Sequence, residues 1–203
     1  MSEIDMGDGQ RATHETTHET THEIEVSMKL NETFVKFDVP TSEMLVDTLR
    51  NRQNLTGTRI GCDQAACGAC TVLIDGSPRA SCSTFTWAAD GSTVMSIEGA
   101  GSPPFAPLTN RLLRPGAQNS HDDLSPVQQA FAEGSAFQCG YCTPGLVLTT
   151  TALLREVPDP DDETIKEWLN SNICRCTGYQ MVIEAVKEAA VKVAEARRAG
   201  VSS

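Results

Sequence analysis

Basic side chains are scarce in this chain: 16 Lys and Arg stand against 27 Asp and Glu, a formal net charge of −11. So acidic a polypeptide is repelled by nucleic acid and by anionic membrane surfaces, which excludes both as expected partners. Long apolar runs are missing too, since no stretch approaches the ~20 residues that span a bilayer. The first residues carry no hydrophobic core segment and no twin arginine, so no export signal is expected and a reducing, cytoplasmic location is. Nor is there a Gly-rich dinucleotide fingerprint behind a strand, or a basic pocket signature. The chain is therefore not expected to hold a nucleotide cofactor whole.

What is present is cysteine, eight in 203 residues. With no export signal, metal ligation in a reducing compartment is a better reading than disulfides. The first set stands in Gly61-Cys62-Asp63-Gln64-Ala65-Ala66-Cys67-Gly68-Ala69-Cys70, with four and then two residues between cysteines. That is the C-x4-C-x2-C spacing of a plant-type [2Fe–2S] site, which needs a fourth cysteine further on. Cys82 supplies it after eleven intervening residues. Three thiolates from one loop must converge on a pair of irons while backbone N–H groups face the sulfurs. Gly61 and Gly68 are expected to allow the positive φ and close approach this requires. Zinc sites pair shorter Cys hairpins, so this spacing suits zinc poorly.

The elements around that loop follow from periodicity. Ile24, Val26, Met28 and Leu30 alternate with Glu25, Ser27 and Lys29, which predicts a half-buried strand. Asn31-Glu32 turns the chain into a second strand with Val35, Phe37 and Val39 inward, ended by Pro40. Ser42 is placed to start a helix whose Leu45, Val46 and Leu49 share a face. A short strand at Thr71–Asp75, a turn at Asp75-Gly76, a strand carrying Cys82 and a last strand at Thr93–Ile97 complete a small α+β domain over residues 24–99.

Before it, residues 1–23 are polar and repeat His-Glu-Thr-Thr, the composition of a disordered tail. His14, His18 and His22 would share a face if that segment were helical. Residues 100–123 are rich in turn formers and read as a connector, with one helical turn possible at Leu108–Leu113 and His121 solvated. Residues 124–197 are helical. Ser125-Pro126-Val127-Gln128 is a capping-box start, and Thr143-Pro144 opens an apolar helix through Leu146, Val147, Leu148, Leu153 and Leu154. Asp161–Ser171 is a third helix, after Pro158 and Pro160. Thr177-Gly178-Tyr179-Gln180 repeats the capping form before a fourth, buried along Val182, Val186, Ala189, Ala190 and Val193 and ending at Arg197-Arg198.

The second cysteine set is Cys139-Gly140-Tyr141-Cys142 and Cys174-Arg175-Cys176. Each pair precedes a helix start, so each is expected in a turn between two helices, the two units related by a pseudo-twofold axis. A dinuclear iron cluster between the turns is favoured by the helix N-termini. The local spacing also leaves a tetrahedral zinc open.

The combined pattern resembles the small iron–sulfur subunit of the molybdenum hydroxylases, the xanthine oxidase family. The matching segments are Gly61-Cys62…Cys67-Gly68-Ala69-Cys70-Thr71-Val72, Ser125-Pro126-Val127-Gln128, Gln138-Cys139-Gly140-Tyr141-Cys142-Thr143-Pro144-Gly145 and Asn172-Ile173-Cys174-Arg175-Cys176-Thr177-Gly178-Tyr179. They run from about residue 24 to 195. Two departures stand out: residues 102–123 resemble an insertion, because the family's connector is usually short, and Ser125 stands where a histidine is common.

The resemblance implies an α+β fold, a ferredoxin-like β-grasp domain followed by a four-helix bundle. It implies that Cys139, Cys142, Cys174 and Cys176 bind the [2Fe–2S] cluster nearer the molybdenum, and that Cys62, Cys67, Cys70 and Cys82 bind the one nearer the flavin. It places Gln138 against the edge of the molybdopterin cofactor, where an amide offers both donor and acceptor. It also implies an electron relay, not catalytic alone, between a large molybdopterin-binding subunit and a medium FAD-binding subunit, assembled as a dimer of heterotrimers. An N-heteroaromatic or purine substrate is preferred for the holoenzyme over carbon monoxide or an aldehyde. A free-standing two-cluster ferredoxin or redox sensor and a zinc-stapled interaction module are the competing readings. The bundle argues against a lone carrier, which needs only the first domain.

Overall fold

The computed structural model describes residues 22–101 and 124–198. Most of the expected tail, with His14 and His18, and most of the expected connector, with the Leu108–Leu113 turn and His121, lie outside the described residues.

Alternation produces β1 (Glu23–Leu30), paired antiparallel along its length with β2 (Thr33–Pro40). Asn31 and Glu32 between them both take positive φ, 46° and 69°, the backbone of a tight hairpin whose twist suits the strands. Val26, Met28 and Leu30 are buried as expected, whereas Ile24 lies at the exposed end of its row. The second hairpin is β3 (Thr71–Ile74) with β4 (Ser77–Ala80). β5 (Thr93–Met95) slots between the hairpins, parallel to β1 and antiparallel to β3, giving the order β2-β1-β5-β3-β4. α1 (Leu45–Asp47) runs into a wider π-type turn, Thr48–Arg52, and lays Leu45 and Leu49 on Val26, Met28, Leu30, Val39, Val72 and Val94. This mixed sheet grasping one short helix is the β-grasp arrangement.

Four expectations change here. Ser42 does not cap α1: the N-cap is Met44, without a side-chain bond, and the Leu45 N–H donates instead to the Thr84 carbonyl. A neighbouring loop has satisfied a helix-end donor that a serine otherwise would. Cys82 is not on a strand, because β4 ends at Ala80 and a 3-10 turn, Ser81–Ser83, carries the cysteine. The last strand stops at Met95, and Ile97–Gly99 is a single 3-10 turn. Thr177 starts no capping box; Gln180 bonds forward to Glu184, and Gly178 and Tyr179 take positive φ before the helix begins.

The remaining elements are α2 (Pro126–Glu133), α3 (Thr143–Glu156), α4 (Asp162–Leu169) and α5 (Gln180–Arg198). The capping box expected at Ser125 is complete: its hydroxyl accepts from the Gln128 N–H, and the Gln128 amide oxygen accepts from the Ser125 N–H. Asp161 caps α4 by accepting from the Thr164 N–H. α3 is buried on nearly all sides, and α5 packs chiefly along α2, bringing Val182, Val186, Ala189, Ala190 and Val193 into the same core. Lys187 bridges α5 to Asp162 of α4 at 2.7 Å, and Lys192 bridges it to Glu133 of α2 at 2.9 Å. Arg197 donates to the Leu154 carbonyl, closing the C-terminal end of α3 rather than that of its own helix. Sheet and bundle share apolar contacts through Leu73, Leu148 and Ala152. Among the described residues no helix is long and apolar enough to cross a membrane.

Candidate metal centres

The first cysteine loop wraps because three of its residues take positive φ: Asp63 at 56°, Ala65 at 57° and Gly68 at 69°. Gly61 does not, so its expected backbone role is corrected. What it provides is space, since a Cβ there would lie 2.7 Å from the Cys67 sulfur. The wrapped backbone aims donors at sulfur. The Ala66 N–H points at Cys62 Sγ and the Ala65 N–H at Cys82 Sγ, both at 3.3 Å. Within this quartet the Cys67 thiol interacts with Cys62, and the Cys70 thiol with Cys82.

The second quartet forms where the α2–α3 turn meets the α4–α5 turn. Cys176 Sγ lies 3.6 Å from Cys139 Sγ at the exposed rim, while Cys142 interacts with Cys174 in the buried interior. Thr177 Oγ1 donates to Cys174 Sγ at 3.1 Å. The Tyr179 phenol closes this turn, accepting from the Cys174 N–H at 2.7 Å and donating to the Asn172 carbonyl at 2.9 Å. Gln138 is exposed, beside Cys139.

Environment sorts the thiols by acidity. N–H groups of Gln64 and Ala66 draw Cys62 down to about 7. Burial pushes Cys70 up to about 11, with Cys82 adding to the rise. Burial likewise pushes Cys142 up to about 12, with Cys174 reinforcing it. Burial also opposes ionisation of Cys174, but donors from Thr177 and Cys176 outweigh it and the net shift is downward. Cys176 is raised, chiefly by its bond to Cys139.

All eight cysteines are free thiols, and each quartet closes as two facing pairs. Among the described residues no three of His, Cys, Asp and Glu gather tightly enough to hold one ion. Four thiols arranged as two pairs can hold the two irons of a [2Fe–2S] group. The N–H donors turned toward Cys62 and Cys82 fit an anionic cluster as well. The donor sets therefore fit the expected groups.

Several contributors are not singled out for the site in the sequence: the individual N–H groups of Ala65 and Ala66, the Thr177 hydroxyl, expected only as a helix cap, and Asn172, which is buried and bonded to Gly68. The last two sit inside the matching segments, but their partners are fixed by the fold.

Residues 28–93 match a family described as a 2Fe-2S iron-sulfur cluster binding domain, and residues 115–187 one described as a [2Fe-2S] binding domain. The molecule is thus a two-domain 2Fe-2S protein. The nicotine 6-hydroxylase small subunit of Paenarthrobacter nicotinovorans is 39% identical over 82% of this chain and 89% of its own length. The nicotinate dehydrogenase small FeS subunit of Eubacterium barkeri is 37% identical over 84% of this chain and 98% of its own. The crystal structure of quinoline 2-oxidoreductase from Pseudomonas putida 86 superposes with a TM-score of 0.72 at 36% identity, covering 89% of this chain and 99% of that one. This chain accordingly belongs to the family of small [2Fe–2S] iron–sulfur subunits of the molybdenum hydroxylases. It is the electron-transfer subunit of a multi-subunit oxidoreductase.

Proposed function

We propose that this chain carries electrons one at a time from a molybdopterin site on a large subunit to FAD on a medium subunit. Cys139, Cys142, Cys174 and Cys176 hold the cluster nearer the molybdenum, and Cys62, Cys67, Cys70 and Cys82 the one nearer the flavin. The observation that carries this reading is the gathering of eight free thiols into two quartets, each closed as facing pairs, in loops that touch each other. When bound, each [2Fe–2S] group supplies a reversible one-electron couple.

The chain's own residues do the tuning. Ala65 and Ala66 turn N–H dipoles onto sulfur, and Thr177 does the same with a hydroxyl. Gln138, exposed at the Cys139 rim, is placed to offer its amide to the edge of the molybdopterin. We assign the cluster-holding halves to residues 24–99 and 124–197, and the assembly to a cytoplasmic dimer of heterotrimers. For the substrate we propose an N-heteroaromatic or purine compound. Support comes from relatives named for nicotine, nicotinate and caffeine, and one named a probable xanthine dehydrogenase subunit. Others are named aldehyde oxidoreductases, so aldehyde is the second reading.

Anaerobic purification tests the relay. About four irons and four acid-labile sulfides per chain are expected, with two distinct EPR signals on reduction. A colourless, zinc-loaded preparation, or an active monomer without larger partners, overturns it. Assaying the purified assembly on nicotinate, quinoline, xanthine, benzaldehyde and carbon monoxide decides the substrate class.

A further inference from the structure

We propose that Asn172 is a positioning residue that fixes the spacing and relative orientation of the two cluster sites, by tying their loops together through one buried amide. The inference rests on the two-cluster reading above. Asn172 and Thr149 are each only 1% exposed. Asn172 Nδ2 donates to the Gly68 carbonyl at 2.9 Å, and its Oδ1 accepts from Thr149 Oγ1 at 2.7 Å and from Ser171 Oγ at 3.0 Å. Gly68 lies between Cys67 and Cys70 of the first quartet, Asn172 stands two residues before Cys174 of the second, and Thr149 belongs to α3, whose N-cap is Cys142.

The joint has no slack. A Cβ on Gly68 would stand 2.3 Å from the Ser171 carbonyl oxygen, and one on Gly145 would stand 2.2 Å from the Gly68 carbonyl oxygen. Two further bonds run alongside: the Ile173 N–H to the Cys67 carbonyl at 2.9 Å, and the Tyr141 phenol to the Ile60 carbonyl at 2.6 Å. The amide is the chemically demanding member. It must donate to a carbonyl on one side and accept from a hydroxyl on the other, in a space closed to water, and a side chain of this length that does both is asparagine. With a [2Fe–2S] group held by each quartet, exchange would move one electron from one group to the other, with no bond made or broken. Its rate is governed by their separation, which this joint sets.

The test uses the assembled enzyme carrying Asn172→Leu, Thr149→Val or Thr149→Ser. Iron per small subunit is measured first, then low-temperature EPR of the fully reduced protein, in which two paramagnetic centres split each other's signals according to distance and orientation. Asn172→Leu and Thr149→Val should keep their iron yet change that splitting. They should also slow inter-cluster transfer relative to wild type. Thr149→Ser, which keeps the hydroxyl, should behave as wild type. If Asn172→Leu does not assemble, Thr149→Val combined with Ser171→Ala, which removes both hydroxyls that donate to Oδ1, decides. Unchanged splitting and rate with only a lower Tm would mean a merely structural role and overturn the proposal, as would loss of iron in Thr149→Val. A wild-type enzyme lacking about four irons per chain sinks the two-cluster reading and this inference with it.

Discussion

The carbonyl of Cys67 accepts a hydrogen bond from the N–H of Ile173, 2.9 Å away. A proposed ligand of one quartet is thereby bonded to the residue immediately before Cys174, a proposed ligand of the other. The two loops form a single packed joint, and perturbing one reaches the other through a defined set of atoms.

Replacing Cys176 separates the sites. Cys176→Ser should remove the second cluster and about half the bound iron, with loss of turnover, while the plant-type EPR signal from the first quartet persists. Metal analysis beside EPR of the same sample reads both. Two unchanged signals with normal turnover would remove Cys176 from the ligand set.

Thr177 and Ser125 should respond differently, although both look like capping residues in the sequence. Ser125→Ala breaks a complete capping box and should cost about 1 kcal/mol of stability, leaving cluster spectra alone. Thr177→Ala removes the hydroxyl that donates to Cys174 Sγ. It should move the potential of the second cluster to a more negative value, because a donor to sulfur favours the reduced, more anionic form. Thermal unfolding and a redox titration tell the two effects apart.

Gly145→Ala tests the tightness of the joint. The new methyl would meet the Gly68 carbonyl oxygen at 2.2 Å, a main-chain atom that cannot swing aside. Overpacking of this kind costs roughly 1–3 kcal/mol. A clear fall in Tm is expected, and an unchanged Tm would show that the joint yields.

The Glu43–Arg52 pair gives a pH-dependent stability. The Arg52 guanidinium holds the Glu43 carboxyl below its ordinary 4.5; burial opposes this, and the Thr48 hydroxyl assists. A carboxyl whose folded value is depressed stabilises the fold above its ordinary value and loses that contribution as pH falls through the folded one. Glu43→Gln should therefore lower stability at neutral pH by roughly 0.5–1 kcal/mol, for a pair that is still partly solvated. The difference from wild type should shrink toward acid. Denaturant midpoints at neutral pH and at pH 3 read it, and a gap that widens toward acid would reverse the assignment.

Much of the candidate site is legible in the sequence because the proposed cluster ligation imposes local spacing. The Cys62–Cys70 loop and the pairs Cys139/Cys142 and Cys174/Cys176 announce themselves within a few residues. The β1 row of Val26, Met28 and Leu30 is equally local, since alternation reports burial on one face directly. What the sequence hides is long-range or conformational. Asn172 meets Gly68 across 104 positions, and nothing in a lone asparagine distinguishes that role from an ordinary turn. Cys82 follows a strand-like run, but the chain must leave the ladder to bring its sulfur under the Ala65 N–H, so the strand ends at Ala80. Ser42 has the chemistry of a cap, yet the Thr84 carbonyl takes that place through tertiary contact.

Among the described residues, sheet and bundle meet through Gly68, Gly145, Asn172, Leu73 and Leu148, contacts that do not depend on the length of the stretch between Gly101 and Leu124. The two cysteine loops are thus held against each other by these contacts themselves. Two polypeptides ending at Gly101 and starting at Leu124 should therefore stay docked when expressed together.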